Sequence, residues 1–218
     1  MTNTSGDPVD LAPKKRPRQK RAIATWERLL DVAAEILETQ GVERISTNLI
    51  AEKAGITPPT LYRYFPNKYA VLWALGDRLM QQQNVVFEQS IEQSGDDASF
   101  QLERSEHLLR DTLDVTERHP GALAIMRAMR AVPVLQEVRL ASHHQVADAW
   151  TDQLVKLLPG LTREEIWAKA RLSVETGYAA IEMAMEETRL DRETVIRDAS
   201  LFQTAYWLSI LNQKASDS

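Results

Sequence analysis

The stretch that most limits what this chain can become is STNLIAEKAGITPPTLYRYFPNK, residues 46–68. Ile50, Ala51 and Ala54 recur at helical spacing in its first half, and Leu61 and Phe65 do so in its second. Ser46 or Thr47 can cap the first helix and Thr57 the second, because a hydroxyl there accepts from a backbone N–H that has no helical partner. Between the two, Gly55 stands where a helix ends on a residue of positive φ, and Pro58 stands in a first turn, where the missing N–H removes no bond. Pro59 is tolerated for the same reason. Two short helices about a Gly-centred turn form a helix-turn-helix outline.

The second helix has a chemically distinctive outer side. Thr60, Arg63 and Tyr64 occupy it, Tyr62 lies on its flank, and Lys68 follows Pro66. Hydroxyl, methyl, ring and guanidinium groups of this kind suit base edges and phosphates, and no acidic residue interrupts them from Gly55 to Tyr69. The implied partner is double-stranded DNA. Thr47 and Thr57 are candidate phosphate contacts, Thr57 also serving as a cap. Pro59 and Thr60 can meet a thymine methyl, and Thr60 a base edge. Arg63 can reach either a guanine or a phosphate.

Charge is distributed to match. The whole chain carries a formal −5, yet residues 1–70 hold eleven Lys or Arg against eight Asp or Glu, and residues 71–218 hold fifteen against twenty-three. KKRPRQKR at 14–21 concentrates the positive charge in Lys14, Lys15, Arg16, Arg18, Lys20 and Arg21. With no apolar periodicity before it, residues 1–22 read as a disordered basic arm able to lie along phosphates or enter a minor groove. A helix follows from about Thr25 to Thr39, ended by Gly41, with Leu29, Leu30, Ala33, Ile36 and Leu37 on one face. Helices as short as the two after it are marginal alone, so this stripe must cover them, and Trp26, Leu29, Ala33 and Phe65 are expected in the core.

These features resemble the N-terminal domain of the TetR family of transcriptional regulators over about residues 25–72. The resemblance rests on the apolar first helix ending in Gly41, on Thr47, Ile50-Ala51 and Ala54-Gly55, on Leu61-Tyr62 followed by Tyr64-Phe65, and on Asn67-Lys68. It implies an all-α protein: a three-helix DNA-binding domain at 23–70, then a helical effector-binding and dimerisation bundle at 71–213. Tyr62, Tyr64 and Lys68 match family positions that contact phosphates. Asn67 caps the helix that links head to bundle, its stripe running through Val71, Leu72, Leu75 and Leu79 toward Val86.

Beyond that helix, SGDDAS at 94–99, Pro120-Gly121, Pro133 and Pro159-Gly160 divide the chain into further helices. Thr162 with Glu165 forms a capping-box pattern for a long helix, and Asp191 caps the last. Ile166, Ala170, Val174, Gly177 and Ile181 line one side of the former, and Phe202, Tyr206 and Ile210 repeat in the latter. Periodicity allows these two helices to pack within the subunit or against a twin; the resemblance favours the twin, and a symmetric pair of heads spanning two half-sites argues for a homodimer. Phe100, Met126, Met129, Trp150, Trp167 and Tyr178 are candidates to line an apolar cavity. The resemblance then implies a small effector, here apolar or aromatic, that releases a repressor from a palindromic operator. A ligand-independent repressor or activator with a solid second domain is the alternative reading.

Other function classes lack their residues. The chain has no cysteine, which removes disulfide, thiolate and Cys-metal chemistry, and its four histidines occur in no HExxH or Glu-x-x-His motif. Adjacent His143 and His144 diverge on a helix, and neither a phosphate-binding glycine loop nor GxSxG is present. A small all-helical enzyme is therefore the remote alternative, and no cofactor is expected. With no membrane-length apolar run and a polar start, a cytoplasmic protein without membrane contact is expected.

Overall fold

The computed structural model describes residues 16–94 and 102–216, and nine α-helices account for most of them. They are α1 (Lys20–Gln40), α2 (Thr47–Lys53), α3 (Pro58–Tyr62), α4 (Lys68–Ser94), α5 (Leu102–Glu117), α6 (Ala122–Ala131), α7 (Gln136–Leu154), α8 (Arg163–Glu186) and α9 (Arg192–Ser216). A 3-10 turn, Pro133–Leu135, joins α6 to α7. Among the described residues no strand occurs, and the all-α expectation holds.

The chain divides into two compact units whose boundary differs from the expected cut at residue 70. The first comprises the described residues up to Met80 together with His119–Arg139; the second comprises Gln81–Arg118 and the chain from Leu140 onward. The physical reason is α6. Its buried face of Ala122, Ile125, Met126, Ala128 and Met129 packs with the head, on α1. Gly121, at φ 68, makes the approach possible: a Cβ on it would fall 2.9 Å from the carbonyl oxygen of Ala34.

Within the first unit α1 buries Trp26, Leu29, Leu30, Ala33, Ala34, Ile36 and Leu37, a stripe at three- and four-residue spacing wide enough to cover both α2 and α6. Phe65 closes the small core against Trp26, their rings 4.2 Å apart. The helix begins five residues before the expected Thr25. Gln19, its N-cap, supplies no side-chain bond, and the added turn buries no side chain until Trp26, so neither signal that marks a helix start was there to read. Lys20 and Arg21 consequently stand in the first turn of α1 rather than in an arm. Lys14 and Lys15 lie outside the described residues.

Arg78 of α4 fastens the back of this unit. Its Nη1 donates to Glu27 Oε2 at 3.1 Å and to Asp31 Oδ1 at 2.8 Å, both on α1, while its Nε donates to His119 Nε2 at 3.3 Å. His119 Nδ1 in turn lies 3.0 Å from the carbonyl oxygen of Pro120, the arrangement of a neutral imidazole that accepts at Nε2 and donates at Nδ1. Burial and then the adjacent guanidinium push its pKa below the ordinary histidine value.

In the second unit α5 packs against α8 and α9, which pack against each other. The expected caps are present. Thr162 and Glu165 exchange the two bonds of a capping box, and Asp191 Oδ2 accepts from Thr194 N at 2.9 Å. Trp207, nearly inaccessible, donates from Nε1 to Ser173 Oγ at 3.0 Å and so locks α9 onto α8. The small-residue stripe of α8 serves this packing: Ile166, Ala170, Val174, Gly177 and Ile181 are all buried in their own chain, as is Ile210 of α9. A Cβ on Gly177 would meet Gln203 Nε2 and Leu109 Cδ2, each at 3.2 Å, so the mid-helix glycine has its packing reason inside the subunit.

Candidate nucleic-acid interface and ligand cavity

The head assembles its outer face from α2, the turn and α3. Ser46, rather than Thr47, caps α2, accepting from Leu49 N at 3.2 Å. That leaves the Thr47 hydroxyl free to bond the phenolic oxygen of Tyr62 at 3.0 Å, a cross-link between the start of α2 and the end of α3. Gly55 adopts φ 63, the left-handed conformation that the turn requires. Thr57 holds the N-cap position of α3, but its hydroxyl pairs with that of Thr60 at 2.9 Å instead of with the backbone.

The outcome is a patterned surface. Thr57, Pro59, Tyr62 and Arg63 are exposed and Thr60 is half-buried beside them. Tyr64 is more enclosed, its ring edge against Trp26 at 6.3 Å, so only part of it remains available. Lys68 begins α4, whose first turn is capped by Asn67 Oδ1 accepting from Ala70 N at 2.9 Å, and its ammonium lies 5.4 Å from the ring centre of Tyr69. Arg16 forms an ion pair with Glu27 at 2.9 Å, whereas Arg18, Lys20 and Arg21 are exposed. One cation escaped the sequence reading: Arg28, whose guanidinium reaches the turn, with Nη2 3.4 Å from where a Cβ on Gly55 would stand.

The second unit contains an apolar cleft of about 460 Å³, part of it open to solvent. Gln83 and Phe87 of α4, Leu108, Leu109 and Thr112 of α5, and Val146 and Trp150 of α7 form much of its wall. Ser173, Val174, Gly177, Tyr178 and Ile181 of α8 and Gln203 of α9 complete it. None of the described lining residues carries a charge. Trp150 stands between Phe87 and Trp207, ring centres 6.2 and 5.5 Å away. Tyr178 stacks on His143 at 4.3 Å, and burial raises its hydroxyl pKa well above the usual tyrosine range.

Of the six residues expected at a cavity, Trp150 and Tyr178 line this one. Met126 and Met129 belong instead to the first unit, where Met129 packs over Gly76 of α4. Trp167 is half-buried beside His144, ring centres 5.5 Å apart, and Phe100 lies outside the described residues. Gln83, Thr112 and Gln203 were missed because apolar periodicity does not flag polar side chains. The signal that existed was a Gln83-Asn84 pair where the apolar stripe of α4 runs from Leu75 and Leu79 to Phe87, both nearly inaccessible.

Comparison with known proteins places the head. The family model described as "Bacterial regulatory proteins, tetR family" matches residues 29–75. Residues 29–75 are a TetR-family domain. A transcriptional regulator from Mycolicibacterium smegmatis, EthR, is 32% identical over 110 residues, which span 50% of this chain and 49% of that protein. The chain thus spans about half the length of this relative. The fold extends the likeness further. A TetR-family regulator from Syntrophomonas wolfei superposes with TM-score 0.69 at 13% identity, covering 86% of this chain and 96% of that one. The regulator FadR from Bacillus subtilis, in complex with stearoyl-CoA, does so with TM-score 0.61 at 16% identity over 82% of this chain and 97% of its own. No described helix is long and apolar enough to cross a membrane.

Proposed function

We propose that the chain is a homodimeric transcriptional repressor that binds a palindromic operator through the TetR-family domain and releases it when a small uncharged ligand occupies the cleft. The observation that carries the DNA-binding reading is the acid-free face of α3, where Thr57, Pro59, Tyr62 and Arg63 stand exposed on a helix whose two ends are pinned by Thr57–Thr60 and Thr47–Tyr62. Rigid presentation of a few side chains is what base readout needs.

The homodimer rests on a different face of α8 and α9 from the buried stripe. Leu172 and Met183 of α8 and Leu201, Phe202 and Leu208 of α9 are large apolar side chains left in water, Phe202 at 64% exposure. Phe202 and the half-buried Tyr206 are the members of the expected interface set with open surface. A second copy of the chain is the natural cover, since each unit then contributes one head to a half-site.

Ligand control rests on α4. This single helix begins at Lys68 beside the DNA face and carries Gln83 and Phe87 of the cleft wall, so a ligand preferring one placement of α4 biases the heads toward one spacing. The FadR neighbour, which was solved with stearoyl-CoA, supports a ligand role for this fold. Selection of bound sites from a random duplex library by the purified protein tests the whole reading. An enriched inverted repeat is expected; enrichment of a single asymmetric half-site, or of nothing, refutes it. Phe202→Glu is expected to turn the sedimenting dimer into a monomer and to weaken operator binding with it.

A further inference from the structure

The cleft wall contains a buried group left unsatisfied among the described residues. Gln83 is 1% exposed, and its Nε2 donates to Thr116 Oγ1 at 2.7 Å. The Thr116 hydroxyl is fully buried, and its proton is already committed to the carbonyl oxygen of Thr112 at 2.5 Å. Thr116 can therefore only accept from Gln83, which fixes the amide with its NH2 toward Thr116. Among the described residues, Gln83 Oε1 is left buried with no hydrogen-bond partner. A buried acceptor without a donor carries the full cost of its lost hydration, so a ligand donor that meets it gains the most.

Several other polar groups on the cleft wall already have partners within the protein. Thr112 Oγ1 donates to Leu108 O, Ser173 Oγ donates to Lys169 O and accepts from Trp207, and Gln203 Nε2 donates to Ser173 O at 3.0 Å. We infer that Gln83 is the specificity residue of the cleft, and that its ligand is an uncharged, mostly apolar molecule bearing one hydroxyl or N–H that donates to Gln83 Oε1. The inference rests on the cleft being the effector site. It separates phenols, alcohols and amides from their ethers, which offer only lone pairs, and from carboxylates, which would meet an acceptor with no cation on the wall.

Calorimetric titration of the full chain with 2-naphthol, 2-methoxynaphthalene and 2-naphthoate tests it, alongside the variant Gln83→Met. Hydrophobic burial alone favours the ether, so a naphthol preference of about tenfold, the worth of one buried hydrogen bond, is the expected signature. Naphthoate is expected to bind worst, and Gln83→Met to bring naphthol and ether to near parity. Equal binding of naphthol and ether by the natural protein overturns the donor rule while leaving the cleft as a ligand site, and so does a preference that survives in Gln83→Met. Failure of all three compounds to bind overturns the cleft reading and the donor rule together. If the variant melts before titration, the naphthol-to-ether ratio of the natural protein decides the question alone.

Discussion

The two units of this protein place their chemistry on opposite sides of their helices. In the first, the inside apart from His119 is hydrocarbon, from Trp26 and Leu29 to Phe65, and the informative side chains, Thr47, Thr57, Tyr62 and Arg63, lie at or near the surface of a few consecutive turns. In the second, the exposed apolar face of α8 and α9 aside, the informative groups are inside: Gln83, Thr116, Ser142, Asn84 and Ser173 are buried polar residues drawn from α4, α5, α7 and α8. A DNA reader must show its donors and acceptors to a large partner, whereas a receptor for a small molecule must hide them from water so that each is worth more. The same contrast separates what a mutation can damage in each.

The sharpest way to break the comparison is Phe65→Ala. Removing a fully buried ring from so small a core is expected to cost about 3–5 kcal/mol and to melt the first unit, abolishing operator binding. Naphthol titration of the second unit is expected to persist. Parallel loss of both activities would make the two units one cooperative body. A finer cut is Tyr62→Phe, which removes only the hydroxyl that meets Thr47. It is expected to lower the thermal stability of the first unit by about 0.5–1.5 kcal/mol, and to weaken every operator variant equally if that oxygen faces phosphate.

The smallest expected effect is a pH dependence confined to the first unit. His119 has a folded pKa below its ordinary value because it is buried against Arg78, whose charge is shared with Glu27 and Asp31. The neutral form is therefore the one that folding favours. Stability from this group is complete above the ordinary histidine pKa and is lost as pH falls from there through the lowered value, because the unfolded chain binds the proton first. Melting curves of the natural protein and His119→Gln, compared across mildly acidic pH, are expected to converge at the acid end.

How far the sequence could be read follows from the same division. The boundaries of α2, α3 and α4 were legible because each is set by a single residue doing a local job: Ser46 as cap, Gly55 at positive φ, Pro58 in a first turn, Asn67 as cap. The early start of α1 was not, since Lys20–Thr25 carries neither a side-chain cap nor a stripe. In the second unit the pattern of Ile166, Ala170, Val174, Gly177 and Ile181 correctly marks a face in close contact, but spacing says nothing about which surface lies opposite, and here it is α5 and α9 of the same chain. Met126 and Met129 taught the same lesson in reverse. The orphan oxygen of Gln83 was beyond any reading of the sequence, because it exists only once Thr112, Thr116 and Gln83 have been brought together from two helices.

The seat of α6 on α1 has a consequence for how such heads can be exchanged. Because Gly121 brings that helix against the backbone of Ala34, the compact head is made of two stretches of chain separated by residues 81–118. A graft that transplants residues 16–80 onto another regulator moves the letters that read DNA but leaves behind the helix that covers the back of α1. The recipient must supply its own α6 with a surface cut to fit, so recombination between relatives succeeds only where this distant segment travels with the reader or already matches it.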